Sequence, residues 1–572
     1  MKNREVARIF NEMAVLLEVK GENPFRVRAY RRAAQNIEGY PRAIEEASPE
    51  EILSIAGIGP DLAGKVREIV ETGKLKAMED LKKEVPGGFA AMLSVPGLGP
   101  RTAKLVLDRF GTVDLEGLEE LAREHRLAGL PGVGAKTERN ILKGIETLRL
   151  RSERHPLGLA LPAAEDILRH LGEKAPVTRI ALAGSLRRWK ETVKDMDILA
   201  TSPHESQVMN AFVHLPHVKE VLMKGPTKTV VVLDQDIQVD LRVVREQSFG
   251  SALCYFTGSK AHNIRLREMA VRRGLKLNEY GVFDAGDGRR LGGEREEDIY
   301  EALGLAFVPP ELREDRGEVE AAQEDALPHL VQRGDIRGDL HVHTRWSDGK
   351  HSLEEVVQGA RRRGFEYIAI TDHSKGLGVA RGLTEKRLRE EVEEIEALNE
   401  RLQGFRVLTG TEVDIRSDGT LDFPDRVLES LDVVVASIHS GFNQPMEKLT
   451  GRLIAAMRNP HVDIIAHPTG RIIGERDAYE VDMEAFLEAA RQTGTALEIN
   501  AYPLRLDLSD TYARAARAMG IPLVISTDTH LLEHFDHMAY GVSVARRGWL
   551  EKDDVLNTKS AAEFLKALGK RP

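Results

Sequence analysis

Seven short runs of apolar, mostly β-branched residues recur between residues 338 and 530, and each ends in polar residues followed by a helical pattern. Repeated strand–helix units of this kind form parallel barrels, in which the C-terminal ends of the strands carry the functional residues. The sequence therefore predicts a distorted (βα)7 barrel. The predicted strands are 339–343, 367–373, 407–412, 433–439, 462–468, 496–500 and 523–530.

The residues that end these strands are metal ligands in type. His341 and His343 are two residues apart, as are Asp528 and His530, so each pair lies on one face of its strand. Nitrogen and oxygen ligands at equivalent strand ends suit two or three divalent ions, Zn²⁺, Mn²⁺ or Fe²⁺. Such ions activate water and bind phosphate esters. The predicted ligands are His341, His343, Asp348, His373, Glu412, His439, His467, Asp528 and His530.

A second set of carboxylates lies in the first half of the chain. Asp195 and Asp197 are two residues apart at the start of an apolar run, so they project to the same side of a strand. Asp240 lies within a β-branched strand, where an acid is unfavourable unless it is paired or binds a metal. An isolated Asp-x-Asp is more often a surface turn, but the strands and the third aspartate favour a site for Mg²⁺ or Mn²⁺.

The turn before these aspartates suits a phosphate group. Gly184 follows an apolar run and allows the backbone to approach a phosphate closely. Ser185 and Arg188 supply donors for the phosphate oxygens. Together with the carboxylates, this turn predicts metal-assisted nucleotidyl transfer.

An apolar–Gly–apolar–Gly turn between two helices occurs three times in the N-terminal region, which is typical of helix-hairpin-helix motifs. The glycines allow backbone N–H groups to face a DNA phosphate at the start of a helix. Three copies favour DNA binding more strongly than one. The predicted DNA contacts are Gly57, Gly59, Lys65, Gly97, Gly99, Gly132 and Gly134.

These motifs resemble those of the family X DNA polymerases, of which polymerase beta is the familiar member. The resemblance rests on the Gly-Ser turn, the three aspartates and the segments 255–259 and 277–280, and it extends to about residue 315. It implies that Asp195, Asp197 and Asp240 catalyse nucleotide addition. It also implies a nucleotide site formed by Gly184, Ser185, Arg188, Tyr255, Phe256, Gly258, Lys260, Asn263 and Arg267.

Some members of family X remove a 5′-deoxyribose phosphate through a Schiff-base lysine in the N-terminal domain. Lys65 aligns with that nucleophile. A lysine nucleophile needs a lowered pKa, which Asp61 would oppose. Lys65 is therefore interpreted either as the lyase nucleophile or as a phosphate ligand.

The C-terminal ligands resemble those of the PHP (polymerase and histidinol phosphatase) domain. The His-x-His start, the Asp-His pair, the glutamate, the two separate histidines and the Asp-x-His end are all present. Next to a polymerase, this resemblance implies a 3′-to-5′ exonuclease, a 3′-phosphatase or an abasic-site endonuclease. Neighbouring residues are expected in supporting or surface positions: Asp414, Asn500, His461, His534 and His537.

The motifs predict a multidomain protein with an all-α N-terminal region, an α+β nucleotidyltransferase palm and thumb, and the barrel. The predicted domains are a helix-hairpin-helix small domain (1–82), helix-hairpin-helix fingers (83–155), a catalytic palm (156–245), a nucleotide-selecting thumb (246–315), a linker (316–334) and the PHP domain (335–572).

The formal net charge of -10 at first argues against DNA binding, but all of this excess lies after residue 315. DNA binding would then depend on local patches and backbone donors. The single cysteine, Cys254, excludes a disulfide framework and a cysteine-based zinc site. No apolar run is long enough to cross a membrane. We expect a monomeric bacterial enzyme of the cytoplasm, associated with the nucleoid.

The sequence thus predicts a repair polymerase that fills short gaps, using gapped or primed DNA and deoxynucleoside triphosphates, and that also trims 3′ ends. Two alternatives remain. In the first, the PHP domain is a phosphatase of small molecules, which would act on a phosphorylated metabolite but not on DNA ends. In the second, the chain is chiefly a scaffold that binds DNA ends, and gap filling would survive Asp240→Ala.

Overall fold

The computed structural model describes residues 3–20, 22–38, 44–55, 57–78, 81, 92, 95, 98–111, 114–152 and 154–570. The chain divides into two compact units, Met1–Glu153 and Arg154–Pro572. Within the described ranges, no helix combines the length and the apolar character needed to cross a membrane.

The first unit is all-α wherever it is described, as predicted. Ser48 caps α3 in a capping box with Glu51, and Pro60 stands in the first turn of α4, where its missing N–H is not needed. The helices bury an apolar core that includes Phe10, Leu17, Tyr30, Val66 and Ile69. The described helices are α1 (Asn3–Lys20), α2 (Pro24–Glu38), α3 (Pro49–Ser54), α4 (Pro60–Thr72), α5 (Pro100–Phe110), α6 (Leu115–Arg123) and α7 (Ala135–Ser152).

The second unit begins with a five-stranded sheet in the order β2-β4-β7-β6-β5. Strands β4 and β7 are parallel, and the other neighbours are antiparallel. Helices α8 (Leu157–Lys174) and α10 (Glu205–Val213) bury apolar residues against one face of the sheet. The strands of this region are β1 (His155–Pro156), β2 (Arg179–Leu182), β3 (Thr192–Val193), β4 (Asp195–Thr201), β5 (Val218–Lys224), β6 (Lys228–Leu233) and β7 (Gln238–Val244), and α9 (Gly184–Arg187) follows β2.

The following region combines helices with a small antiparallel sheet in the order β10-β9-β8. The predicted linker contains a short helix, Glu318–Gln323, whose Val319 and Ala322 share a buried core with Leu266 and Tyr300. This segment therefore packs with the region before it. The elements are α11 (Phe249–Thr257), α12 (Lys260–Arg272), β8 (Leu275–Asn278), β9 (Gly281–Asp284), β10 (Arg290–Gly292), α13 (Glu297–Ala302) and α14 (Glu318–Gln323).

The C-terminal strands form a seven-stranded parallel sheet in sequence order. A bridge between Val342 and Thr529 places the last strand beside the first, so the sheet nearly closes and the predicted (βα)7 fold is confirmed. The strands are β11 (Gly338–Val342), β12 (Tyr367–Ile370), β13 (Arg406–Asp414), β14 (Val433–Ser437), β15 (Ile464–Ile465), β16 (Ala496–Asn500) and β17 (Leu523–Ser526). The helices are α15 (Leu353–Arg362), α16 (Glu385–Asn399), α17 (Asp425–Leu428), α18 (Met446–Met457), α19 (Met483–Thr493), α20 (Asp510–Ala518), α21 (Met538–Arg547) and α22 (Ala561–Ala567).

The barrel shares apolar cores with the regions before it. Tyr540 on α21 packs against both the barrel core and the core beneath the five-stranded sheet. Trp549, just after α21, is buried in the core that contains Leu266 and Tyr300. These contacts lie within the second compact unit, so no solvated boundary separates the barrel from the regions before it at these residues.

Candidate active sites

The three predicted aspartates of the five-stranded sheet lie on its two central parallel strands. Asp195 and Asp197 are both on β4, and Asp240 on β7 is directly opposite Asp197 in the strand register. Asp240 is buried and accepts a hydrogen bond from Gln238 Nε2 at 2.8 Å. Lys228, which the sequence had not singled out, places its Nζ 2.6 Å from Asp240 Oδ2. The structure therefore brings the carboxylates together, with one lysine partly neutralising them.

The electrostatics of these aspartates suit a cation. Burial and the charges of Asp195 and Asp240 together raise the pKa of Asp197 to about 6, against the opposing effect of Arg242 and Lys228. Like charges held this close are stable as carboxylates only when positive charge lies between them. The donor set is all oxygen, which is the set that Mg²⁺ and Mn²⁺ prefer.

The backbone at Gly184 passes directly beside the side chain of Asp197. Its φ of 61° lies in the left-handed region, and a Cβ at this position would lie 2.3 Å from Asp197 Oδ2. Only glycine fits both constraints. The predicted turn is a single helical turn, α9, so Gly184 and Ser185 start that turn directly beside the carboxylates.

Arg188, predicted to bind phosphate, already has partners. Its Nε donates to Glu314 Oε1 at 3.0 Å and its guanidinium also donates to the Thr257 carbonyl. Only 12% of its side-chain surface is exposed. A triphosphate would therefore compete with Glu314 for this guanidinium, and the assignment of Arg188 to the nucleotide stays a prediction.

The other predicted nucleotide contacts lie on α11 and α12. Tyr255 is 37% exposed and its ring meets Phe256 edge-on, with the ring centroids 5.2 Å apart. Asn263 Nδ2 donates to the Tyr255 carbonyl at 2.7 Å, and Arg267 Nε donates to the Asn263 carbonyl at 3.3 Å.

Two further nucleotide candidates lie at the start of α12. Gly258 has a φ of 70°, and a Cβ there would lie 3.3 Å from a terminal nitrogen of Arg188. Lys260 is the first residue of α12 and is exposed. Gly258 thus lies beside Arg188, and the role of both residues at the nucleotide stays a prediction.

The described hairpin glycines are open to a ligand. Gly59 and Gly99 are the N-cap residues of α4 and α5, and Gly132 has a φ of 79°. A Cβ added to Gly59, Gly99, Gly132 or Gly134 would meet no described atom within 4 Å. Gly57 instead faces the Arg32 side chain at 3.2 Å. Gly97 lies outside the described residues.

Lys65 donates a hydrogen bond to Asp61 and lies over the Tyr30 ring, 5.6 Å from its centroid. Burial by itself would lower the pKa of Lys65, but Asp61 and Tyr30 raise it above its ordinary value. A Schiff-base nucleophile needs the opposite shift. The raised pKa therefore argues against lyase chemistry, and phosphate binding by Lys65 stays a prediction.

The nine predicted ligands of the barrel all converge at the C-terminal ends of its strands. Ligand atoms within 4.8 Å of one another form three groups in the described chain. The groups are His343, Asp348, His373 and His530; His341, His343 and Asp528; and His373, Glu412 and His439. His467 joins the third group, because its Nε2 lies 3.0 Å from Glu412 Oε1. Shared residues link the groups into one centre.

The donor atoms of this centre are aimed at a common point. His341 Nε2 and Glu412 Oε2 lie 3.3 Å apart, yet among the described residues neither atom makes a hydrogen bond. His343 Nε2 is also buried without a hydrogen-bond partner in the described chain. Buried polar atoms left in this way are unfavourable unless another group binds them. Imidazole and carboxylate donors in this number fit several divalent ions.

Burial and charge set the protonation of the histidines. Burial, together with the nearby His530 and His373, lowers the pKa of His343 to about 4, so its ring is neutral and can donate a lone pair. Burial also acts to lower the pKa of His439, but Glu412 and Asp414 raise it to about 9. The centre thus holds protons that divalent ions would displace.

Glu498 on β16, which was not among the predicted residues, contacts two of the ligands. Its Oε1 lies 2.8 Å from His341 Nδ1, and its Oε2 accepts the backbone N–H of His467 at 2.7 Å. A carboxylate on the far nitrogen orients a ligand histidine and raises its basicity. An acid inside an otherwise apolar strand was the available signal.

Several neighbouring residues contact the ligands directly. Asn500 Nδ2 donates to Asp528 Oδ2 at 3.2 Å, and Asp414 Oδ1 lies 3.4 Å from His439 Nδ1. His534 Nδ1 lies 3.3 Å from the backbone nitrogen of His530. Arg505 adds a positive charge 3.5 Å from Asp528.

Comparisons with known proteins match each part of the chain. The family models that match are a helix-hairpin-helix domain (residues 1–75), a SAM-like helix-hairpin-helix tandem (89–147), the DNA polymerase beta thumb (252–314) and the PHP domain (339–502). DNA polymerase/3'-5' exonuclease PolX of Bacillus subtilis strain 168 is 42% identical over 99% of this chain and 100% of its own length. The chain belongs to the family X DNA polymerases.

The PHP part of this family X chain has other relatives. A probable phosphatase of Thermoanaerobacter sp. strain X514 is 30% identical over 40% of the chain and 94% of its own length. A probable phosphatase of Shewanella oneidensis is 29% identical over 40% of the chain and 92% of its own length. These matches confirm the predicted combination of family X and PHP parts. They also confirm the use of divalent metals and the binding of DNA in general.

Proposed function

We propose that the chain fills short gaps in DNA during repair, adding nucleotides at the aspartates of the five-stranded sheet and removing 3′ nucleotides at the barrel. The observation that carries this proposal is the presence of two complete, separate sets of metal-type ligands in one folded unit. The similarity of this chain to the Bacillus subtilis polymerase and exonuclease along its whole length supports the same pairing of activities.

At the polymerase site, Asp195, Asp197 and Asp240 would hold Mg²⁺ or Mn²⁺. Ions held there would supply Lewis-acid activation for the primer 3′-hydroxyl and charge stabilisation for the leaving pyrophosphate. Ser185 and Arg188 would hold the triphosphate, and Asp240 would accept or share the hydroxyl proton. Tyr255, Asn263 and Arg267 would contact the new base pair and its sugar.

At the barrel, the nine ligands would hold two or three divalent ions, Zn²⁺, Mn²⁺ or Fe²⁺. Such ions supply activated water for phosphodiester hydrolysis. Neutral His343 can donate to an ion directly, and Glu498 keeps His341 in the matching tautomer. Arg505, beside Asp528, would attract the substrate phosphate. A 3′-phosphatase or abasic-site endonuclease activity would use the same ligands.

A second candidate function is hydrolysis of small phosphate esters by the barrel, which the similarity to the two probable phosphatases favours. The partners that we propose are gapped or primed DNA, held in part by the hairpin glycines, and deoxynucleoside triphosphates. We further propose a monomer that acts in the bacterial cytoplasm at the nucleoid.

Two single substitutions test the proposal on one labelled, gapped DNA with Mg²⁺ or Mn²⁺. Asp240→Ala should abolish gap filling and leave 3′-end degradation intact, whereas His439→Ala should do the reverse. Gap filling by Asp240→Ala would refute the polymerase assignment. Loss of both activities in either folded variant would refute two separable sites. Hydrolysis of a sugar phosphate without degradation of DNA ends would favour the phosphatase.

A further inference from the structure

The barrel helix α21 lies along the phosphate loop of the polymerase, defined here as residues 184–191. Tyr540 and Arg547 are seven residues apart on α21, so they project from one face of that helix. The Tyr540 ring meets the Trp189 ring of the loop edge-on, with the centroids 5.9 Å apart. Arg547 donates through one terminal nitrogen to the Arg188 carbonyl at 2.7 Å.

These two contacts meet at a strained point of the loop. Trp189 has a φ of 54°, which is unfavourable for a bulky side chain and persists only when the surroundings enforce it. The Trp189 N–H donates to the Leu186 carbonyl at 3.0 Å, and the Arg188 carbonyl on the other side of the same peptide accepts from Arg547. The peptide that enters Trp189 is therefore fixed from both sides, and one of the two hydrogen bonds comes from the barrel.

Arg547 also fixes the partner of the Arg188 side chain. Glu314 Oε1 accepts from Arg188 Nε at 3.0 Å and from Arg547 at 3.1 Å. The other terminal nitrogen of Arg547 donates to Asp510 Oδ2 at 2.8 Å. The Arg547 side chain is only 4% exposed, so these bonds form away from solvent, where they are stronger. A planar guanidinium reaches these acceptors from two separate terminal nitrogens, whereas a lysine ammonium concentrates its donors on one atom.

We propose that Arg547 is a positioning residue for nucleotide addition, which holds the strained phosphate loop so that Ser185 and Arg188 face the triphosphate. The inference rests on the proposed polymerase function, and it assigns part of the polymerase site to the nuclease domain. Arg547 does not touch the substrate in this proposal. It acts on the backbone of Arg188 and on Glu314.

The test compares Arg547→Lys with Arg546→Lys in the full-length protein. Arg546 precedes Arg547 on α21 and contacts the same side of the polymerase, through Glu311 at 2.7 Å and the Val331 carbonyl at 3.2 Å, but not the phosphate loop. Gap filling is measured over a range of deoxynucleotide concentrations. Degradation of single-stranded DNA is measured without nucleotides, and the Tm of each variant is recorded.

Arg547→Lys should raise the KM for the deoxynucleotide by about tenfold, because a displaced binding group weakens the productive complex. Its degradation rate and the KM of Arg546→Lys should stay at parental values. A parental KM in folded Arg547→Lys would overturn the proposal, as would an equal rise in both variants. Absence of gap filling in the parental protein would instead overturn the polymerase function.

Should Arg547→Lys fail to fold, Tyr540→Leu replaces it, because this change removes the ring that supports Trp189 and leaves every charge in place. The same rise in KM with unchanged degradation supports the proposal. A lowered Tm with a parental KM shows that α21 stabilises the fold without positioning the loop, and overturns it.

Discussion

Lys228 Nζ lies 2.6 Å from Asp240 Oδ2, so a lysine on β6 neutralises part of the carboxylate cluster on β4 and β7. The same charge holds down the pKa of Asp197, which burial, Asp195 and Asp240 raise to about 6. Lys228, together with Arg242, therefore favours ionisation of the cluster. Carboxylates must be ionised to bind a metal, so this lysine links pH to metal affinity.

Lys228→Met should raise the pKa of Asp197 further, because one of the charges that lower it is lost. The Mg²⁺ concentration for half-maximal gap filling should then rise at about pH 6.5 and not at about pH 8.5, where Asp197 is ionised in both proteins. Lys219→Met is the control, since exposed Lys219 on β5 pairs with Asp236 instead. Parallel Mg²⁺ dependences at the two pH values would contradict the argument.

Gly184→Ala should reduce gap filling by more than about tenfold, because the new Cβ would displace Asp197 Oδ2. The positive φ should add about 1–2 kcal/mol of destabilisation. Kinetics and urea unfolding measure the two effects. Gly172→Ala in α8, whose Cβ would meet no described atom within 4 Å, should leave both values near parental. Retained gap filling would mean that the loop relaxes without moving Asp197.

Glu498→Gln should weaken metal binding at the barrel by about tenfold to a hundredfold, because His341 loses its carboxylate partner. Competition with a chelator measures the affinity, and gap filling reports that the polymerase site is intact. Glu488→Gln on the surface of α19 is the matched control, since Glu488 contacts Arg491 and Gln492 and none of the ligands. Unchanged metal retention in Glu498→Gln would remove Glu498 from the support of the centre.

Asp463→Asn should change how stability depends on pH. Burial raises the pKa of Asp463 from 3.8 to about 6 in spite of Lys570, so the folded protein keeps a proton that the unfolded chain loses. Its contribution to stability is full below pH 3.8 and is lost as the pH rises to about 6. Asparagine cannot ionise, so the variant should gain on the order of 2 kcal/mol relative to the parent across this window.

Urea unfolding at a series of pH values measures this difference in the free energy of unfolding. Asp553→Asn, at an exposed position of the same domain, should follow the parental curve. If the Asp463→Asn and parental curves run parallel between pH 4 and 6, Asp463 does not hold the extra proton.

Residues whose role is local could be predicted from the sequence. Asp195, Asp197 and the histidines at the strand ends follow from strand periodicity, since alternation places them on one face and parallel strands bring their ends together. Lys228 could not be predicted in the same way, because its partner depends on the pairing of β6 with β7.

Long-range contacts were not accessible from the sequence. Arg547 and Arg188 are 359 positions apart, and nothing local in either segment indicates that they meet. Residues 316–334 are predicted to be a linker, and the burial of Val319 and Ala322 depends on partners that lie far away along the chain. The overall composition of such a helix reflects mainly its solvent-exposed face. Two apolar side chains are enough to bury the opposite face.

Tyr540 and Trp549 also bear on how such an enzyme can lose its nuclease over evolutionary time. A deletion of residues 335–572 would remove an aromatic side chain from each of two polymerase cores and expose the apolar residues beneath them. A substitution at a ligand such as His439 would abolish the activity of the barrel without this loss of stability. We therefore expect descendants that have abandoned degradation to retain an inert barrel with altered ligands, and seldom a shortened chain.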